Sequence, residues 1–420
     1  MTIDADVTKT RAMELVCRDC GMAHSFGPML EGCPSCSTAA ERRIVEVRFD
    51  LRALRRARIV DEWSKRPLGL WSYHETLPVP QGAVRVSMQE GGTPLVHFPS
   101  KGPARIWVKD ETRNPTLAHK DRFHSVSVTV ARHLGFKKVT AATTGNHGVS
   151  LAAYAARADL RSLIFHDPQS PAVLCELSQL FGARVIVTEA RLKQIAWLVQ
   201  ERGWYPSTGL TPEPVGTPFG IEAYKSIAFE TTFQLGRRYP HRFYVPVAQG
   251  DILYGIWKGF REIAVLSEND ATTRMHAVQS SGCDPIVEAF RKKLKRIPVH
   301  PSPDTVALSI GDATGAAITL DALAQSDGEA VAVSDERILK TVRCLAGIGI
   351  AAEPSGAAAL AAALEAEERG QLKTGEDVVC LVTGAAVKWP GTIRLSLEPN
   401  YLASNDTDAL KEWIRAFDVQ

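Results

Sequence analysis

Four short stretches and one cysteine cluster carry the side chains best suited to chemistry in this sequence. In NPTLAHKDRF, residues Asn114–Phe123, a lysine follows a polar loop and opens a helical pattern. A lysine beside the positive end of a helix, sheltered from water, has its ammonium form disfavoured, and a neutral amine is what forms a Schiff base with an aldehyde. Taken alone, Lys120 is better explained as a solvated surface charge. In ATTGNHGVS, residues Ala142–Ser150, two hydroxyls, a glycine and an amide share one turn, which offers short donors and backbone N–H groups to a carboxylate or phosphate. An ordinary N-cap accounts for Thr144 or Asn146 but not for the whole cluster. PVAQGDILYGIWKGF runs from a strand through Gly250 into a helix, a partial phosphate-loop pattern, and LVTGAAVKWPG ends a strand at Thr383 and Gly384. None of the four is specific by itself.

The cysteines say more. Cys17, Cys20, Cys33 and Cys36 form two C-x-x-C knuckles across a short hairpin, which can aim four thiolates at one tetrahedral centre of the kind Zn²⁺ favours in a closed structural site. Two disulfides are disfavoured in a reducing cytosol, and a redox C-x-x-C does not need a second pair. Zinc remote from the chemistry is the expectation. Cys175, Cys283, Cys344 and Cys380 lie among apolar residues and read as core packing.

The elements that must position these groups follow from periodicity. From Arg105 onward, β-branched runs (RIWVKD, KVTAAT, RSLIFH, ARVIVTE) alternate with Ala/Leu-periodic segments at Lys120–Leu134, His147–Ala158 and Ala172–Phe181. Strand and helix in turn predict an α/β fold with a parallel sheet covered on both faces. The Pro- and Gly-rich WYPSTGLTPEPVGTPFG predicts a loop or lobe crossing, after which RFYVPV, RMHAVQ, AVAVSD and VVCLVTG read as further strands. Open parallel sheets place ligands at the carboxyl ends of their strands, and all four polar clusters sit at such ends. DLRALRRARIVDEWSKR, basic with acids interleaved, reads as a solvated linker helix rather than a nucleic-acid patch.

Composition excludes other classes. The 420 residues, 45% hydrophobic and 23% charged, suffice for a large core in two or three lobes. With 49 Lys+Arg against 47 Asp+Glu the net charge is +2, too little to attract nucleic acid by bulk electrostatics. Neither a signal-peptide core nor a membrane-crossing run is visible, so a cytoplasmic location is expected.

Taken together and in order, these stretches resemble the fold-type II pyridoxal-phosphate (PLP) enzymes, and among them the threonine synthases. The resemblance rests on EGGTPLV, KDETRNPT leading into KDR, TTGNHGVSLAAYAARADL, GIEAYKSIAFE, WKGFRE, EPSGAAALAAAL and the terminal VTG, together with the cysteine ribbon. It implies two lobes, each with a mainly parallel sheet covered by helices. The corresponding organisation is a zinc ribbon over 13–48, a linker and helical lead-in over 49–89, and a catalytic region over 90–400 with a smaller mobile lobe at about 120–215, then a C-terminal helix over 401–420.

For the site, the resemblance implies that Lys120 holds PLP covalently and then takes the substrate Cα proton. It implies that Asn146 meets the ring's phenolic oxygen and Thr383 its nitrogen, and that Ala248, Gln249, Gly250, Asp251, Ile252 and Leu253 cradle the phosphate. Thr143, Thr144 and Gly145 would face the substrate carboxylate; His119 and His147, which depart from the family pattern, are candidates for substrate contact, with packing the competing reading of His119. The implied substrate is a small amino acid, and homodimers are common in the family.

Departures from the threonine-synthase pattern bear on that substrate. Leu117, Ala118 and His119 replace the usual Gly-Ser-Phe before the lysine, and TGNHG resembles the ammonia-lyase and dehydratase relatives. Gly220 stands where some threonine synthases carry an arginine that clamps the phosphate of O-phosphohomoserine. Asp251 falls inside the phosphate cradle, where it is expected to turn away and cap its helix. Elimination or replacement at an amino-acid side chain is the leading expectation. β-Elimination from a small hydroxy- or diamino acid is the close rival, and a non-catalytic binding or assembly module is a third reading.

Overall fold

The computed structural model describes residues 13–38, 42–208, 218–391 and 407–417. The first twelve residues, the middle of the Pro/Gly-rich crossing at 209–217 and both ends of the expected C-terminal helix lie outside them; that helix spans Thr407–Phe417.

Two sheets carry the chain. The larger has six strands in the order Glu329–Val333, Arg274–Ser280, Arg242–Pro246, Asp377–Val382, Arg105–Asp110 and Leu95–Phe98. All neighbours run parallel except the last pair, where Leu95 opposes Lys109 in an antiparallel edge. Every residue of the two central strands is buried, which is why they read as continuous apolar runs rather than alternating ones. Side-chain alternation divides them between two cores. Phe243, Val245, Val379 and Leu381 face the core built on the Asp251–Leu266 helix, while Tyr244, Val378, Cys380 and Val382 face the Ala-rich Pro354–Glu368 helix.

The smaller sheet is parallel throughout, in the order Arg184–Val187, Arg161–His166, Lys138–Thr143 and Tyr205–Pro206. Its two-residue last strand lies inside the stretch expected to be loop, too short to carry a periodic signal. Ahead of both sheets, Met13–Cys17 pairs antiparallel with Ala23–His24 and Val45–Phe49.

The basic stretch after this ribbon differs from the solvated helix expected of it. It forms two short helices, Leu51–Arg56 and Ile59–Trp63, broken at Arg58, whose φ is 53°. Leu54, Ile59 and Trp63 are buried against Tyr73 and Phe229, so the segment is clamped to the protein by an apolar edge that its charges conceal. Of the four scattered cysteines, Cys283 and Cys380 are buried and Cys175 and Cys344 partly so. Among the described residues no helix is long and apolar enough to cross a membrane.

A fully buried ion network joins motifs far apart in sequence. Arg122 donates to both carboxylate oxygens of Glu111 (2.7 and 2.8 Å) and of Glu230 (2.7 and 2.8 Å), and Lys109 donates to Glu230 at 2.7 Å. Thr93 donates to Glu111 at 2.6 Å, and the backbone N–H of Gly92 to Glu230 at 2.8 Å. Charges in low dielectric persist only when paired and hydrogen-bonded, as these are. The network fixes the first turn of the Lys120–His133 helix against the rest of the protein.

Candidate active site

Lys120 opens its helix where the two sheets' carboxyl ends converge. Asp121, buried behind it, accepts from the backbone N–H and hydroxyl of Thr116 (2.6 and 2.5 Å) and from Ser150 (2.7 Å), so one carboxylate holds both the loop before Lys120 and the neighbouring Asn146–Arg157 helix. Burial pushes that carboxyl up to about 6. The backbone N–H of His119 donates to Thr383 at 3.0 Å, which ties the loop to the end of the Asp377–Val382 strand.

From that position the Lys120 ammonium donates to the Tyr224 hydroxyl at 3.2 Å and lies 3.9 Å from a carboxylate oxygen of Asp251. Its neighbour His119 is buried, with Nδ1 donating to the Thr383 carbonyl at 3.1 Å and its ring tilted on Tyr224. Burial, reinforced by the Lys120 charge, holds this imidazole well below its ordinary pKa, so it is neutral.

In the TTGNH turn, the Thr143 hydroxyl oxygen accepts the N–H groups of Gly145 (2.8 Å) and Gly148 (3.0 Å), which caps the Asn146 helix and leaves the hydroxyl proton for the cavity. The Asn146 amide nitrogen donates to both oxygens of Glu353 (3.0 and 2.9 Å), while its buried Oδ1 has no partner among the described residues. Glu353 is buried too, and burial raises its carboxyl. His147 packs between Phe123 and His124, its buried Nε2 without a partner among the described residues; burial, then the Lys120 charge, push its pKa down to about 3.

Of these residues His119, Lys120, Phe123, Thr143, Asn146, His147 and Glu353 line one cavity of about 220 Å³, with Thr144, Ala248, Gln249, Asp251, Ile252 and Thr383. Gly250, at φ 97°, lets the chain turn into the Asp251 helix; a Cβ there would fall 1.7 Å from the Thr319 hydroxyl. Gly145 and Gly250 contribute backbone rather than side chain, and neither they nor Leu253 are among the cavity-lining residues. The Leu253 side chain is fully buried in the core, so any part of this residue in a phosphate cradle falls to its backbone N–H.

One expectation is corrected. Asp251 does not turn away to cap its helix. No side chain caps that helix, and the carboxylate lines the cavity facing Lys120, where the positive helix end and the ammonium both attract it. Gly220, where the resemblance left an arginine missing, is not itself among the cavity-lining residues. It lies against Phe123, whose ring atoms stand 2.4 Å from where a Cβ would be.

Sequence reasoning missed Tyr224, Glu353, Asp312 and Arg191, all drawn to the site from elsewhere in the chain. Asp312 accepts from the Gln249 amide at 2.9 Å, and Arg191 lines the cavity with its guanidinium paired to Asp167. Tyr224 and Glu353 lay inside stretches already singled out, GIEAYKS and EPSGAAA, but nothing local marked them as facing the lysine.

The arrangement fits PLP. A buried amide oxygen lacks a partner beside a lysine, a hydroxyl waits at Thr383, and the N-terminus of a 16-residue helix opens on the same cavity. The Asp251 carboxylate is the one discordant group. At the other end of the chain, the four ribbon sulfurs lie within 4.8 Å of one another, Cys17 to Cys36 at 3.5 Å and Cys20 to Cys33 at 3.8 Å. Two thiolates on one tetrahedral Zn²⁺ stand about 3.8 Å apart.

Comparison with known proteins bears on this cavity. The family described as "Pyridoxal-phosphate dependent enzyme" matches residues 86–384, a span that begins before Lys120 and ends one residue beyond Thr383. The chain is 35% identical to the threonine synthase of Methanocaldococcus jannaschii over 397 residues, 91% of this chain and 95% of that one. It is 31% identical to that of Methanosarcina acetivorans, over 95% and 98% of the two chains. Among solved structures it shares the fold of a fungal L-serine ammonia-lyase from Rhizomucor miehei, with a TM-score of 0.60 at 20% identity over 70% of this chain and 93% of that chain. A threonine deaminase from Solanum lycopersicum aligns similarly, with a TM-score of 0.60 at 21% identity over 70% and 83%. With a family match over residues 86–384 and threonine synthases matched over more than nine-tenths of its length, this chain belongs to the pyridoxal-phosphate-dependent enzymes and is a threonine synthase-like member of that family.

Proposed function

We propose that this protein eliminates or replaces a substituent on the side chain of a small amino acid, with threonine formation from O-phosphohomoserine as the first reading. The observation that carries it is the 35% identity to a threonine synthase across 91% of the chain, with Lys120, Asn146 and Thr383 around one cavity. When bound, PLP supplies an electron sink at the substrate Cα. The protein's task is to position the reacting bonds and handle protons. Lys120 is the covalent anchor and then the base for the Cα proton, with Tyr224 holding its nitrogen at 3.2 Å. Asn146, clamped by Glu353, is the partner of the ring oxygen. A Thr383 hydroxyl does not hold a proton on a ring nitrogen as a carboxylate would, so the sink is gentler. Thr143, Thr144 and the Gly145 backbone receive the substrate carboxylate, and residues 248–252 the cofactor phosphate.

A second reading, β-elimination from a small hydroxy- or diamino acid, has its own support. Asp251, Asp312 and Glu353 put three carboxylates around the cavity, and Arg191 is already paired with Asp167, a setting that disfavours a phosphorylated side chain. We infer separately that Cys17, Cys20, Cys33 and Cys36 hold a structural Zn²⁺.

Borohydride reduction of the PLP-loaded chain, followed by peptide mapping, is expected to place the pyridoxyl label on Lys120, and no label in Lys120→Ala. Label elsewhere, or none, would sink both readings. A substrate panel then divides them. Phosphate released from O-phosphohomoserine supports the first; a 2-oxo acid released from a hydroxyamino or diamino acid, with phosphohomoserine inert, supports the second.

A further inference from the structure

The helix whose N-terminus opens on the cavity carries its own anion. Asp251 is the first residue of the Asp251–Leu266 helix, and Gly250 caps it without any side-chain hydrogen bond. The Asp251 carboxylate lines the cavity 3.9 Å from the Lys120 ammonium, drawn by that charge and by the helix end. Both attractions are electrostatic. The helix end presents unpaired N–H groups and about half a positive charge, and Lys120 adds a full one.

Among the described cavity residues, two side chains that could help to balance a second anion are already engaged. The Gln249 amide next to the helix is committed to Asp312, and the Arg191 guanidinium to Asp167. A dianionic phosphate arriving at this helix end thus meets a carboxylate already using the same field. Glycine-rich phosphate loops avoid this by presenting backbone alone.

We propose that Asp251 is a built-in competitor for the cofactor's phosphate: it holds the helix end and Lys120 in the free protein and makes the phosphate contribute little to cofactor affinity. The proposal rests on the reading of Lys120 as cofactor anchor and of residues 248–252 as phosphate cradle. It makes a distinction between PLP and pyridoxal, which share the aldehyde and differ by the phosphate. Removing the carboxylate frees Lys120 for both ligands but relieves repulsion for only one.

Spectral titration of the full chain with each ligand measures this, with binding read directly rather than through turnover. For the wild type, the ratio of the pyridoxal to the PLP dissociation constant is expected to be small. In Asp251→Asn, which keeps the shape and loses the charge, the ratio should rise roughly tenfold or more, since like charges a few ångströms apart repel appreciably even at high effective dielectric. Asp251→Glu, which keeps the charge, should leave it within about twofold of the wild type on the same electrostatic grounds. An unchanged ratio in a folded Asp251→Asn protein overturns the proposal while leaving Lys120 as anchor. Failure of wild type and variants alike to bind either aldehyde overturns the anchor reading and this proposal with it.

Discussion

Replacing Arg122 by methionine should be the most costly single change outside the cavity, and the structure says why. Arg122 is fully buried and makes six hydrogen bonds, to Glu111, Glu230, Ser226 and Thr93. With Lys109 it balances Glu111 and Glu230, two positive charges against two negative in a region closed to water. Burial by itself would raise the Glu230 carboxyl, but Arg122 and Lys109 outweigh it and hold it down at about 2. Methionine fills much of the volume and leaves two carboxylates facing one ammonium. Breaking a buried pair by removing one partner costs about 3–5 kcal/mol, because the survivor stays desolvated without compensation. Adding Glu111→Gln restores neutrality, since Lys109 and Glu230 still pair at 2.7 Å. The double variant is therefore expected to recover roughly half of the loss or more. Urea unfolding followed by circular dichroism, with the dimension of the transition checked through its slope, measures all three proteins. A single variant within about 1 kcal/mol of the wild type, the size expected of an exposed pair, would refute the reasoning, as would a double variant no more stable than the single.

Two other outcomes are expected. Burial holds the His166 imidazole down at about 4 and that of His276 at about 3. The unfolded chain binds protons at both from about pH 6.5 downward while the folded protein does not, so their contribution is complete above that pH and is lost as pH falls through the folded values, by up to ~1.4 kcal/mol per unit each. Asp121, raised to about 6, works the other way: it favours the folded state in acid and loses that contribution as pH rises through 6. Unfolding free energies should accordingly fall between pH 6.5 and 5, and a flat or rising profile would contradict the buried, neutral assignment. In the ribbon, Cys33→Ser should release bound zinc and lower stability while leaving the PLP absorbance of the remaining folded protein in place. Loss of cofactor binding in step with zinc, without unfolding, would show instead that the ribbon belongs to the chemistry.

Much of this molecule is written in its local sequence, and the reasons are physical. Parallel strands buried on both faces announce themselves as apolar runs, so RFYVPV and VVCLVTG pointed to strands, and the Lys120 and Asn146 helices begin within a residue of where their patterns start. Residue type and spacing likewise singled out the four ribbon cysteines, whereas Lys120, Asn146 and Thr383, in stretches not specific by themselves, stood out only through the ordered resemblance to a family. What the sequence could not decide is which distant groups face them. Glu353 meets Asn146 across 207 positions and Tyr224 meets Lys120 across 104, separations at which no periodicity carries information. The direction of the Asp251 carboxylate was equally hidden, since turning out to cap the helix and turning in toward an ammonium are both open to a first-turn aspartate until the fold puts Lys120 within 3.9 Å. Local patterns chose the elements; long-range packing chose the electrostatic neighbours, and those neighbours set the chemistry of the cavity.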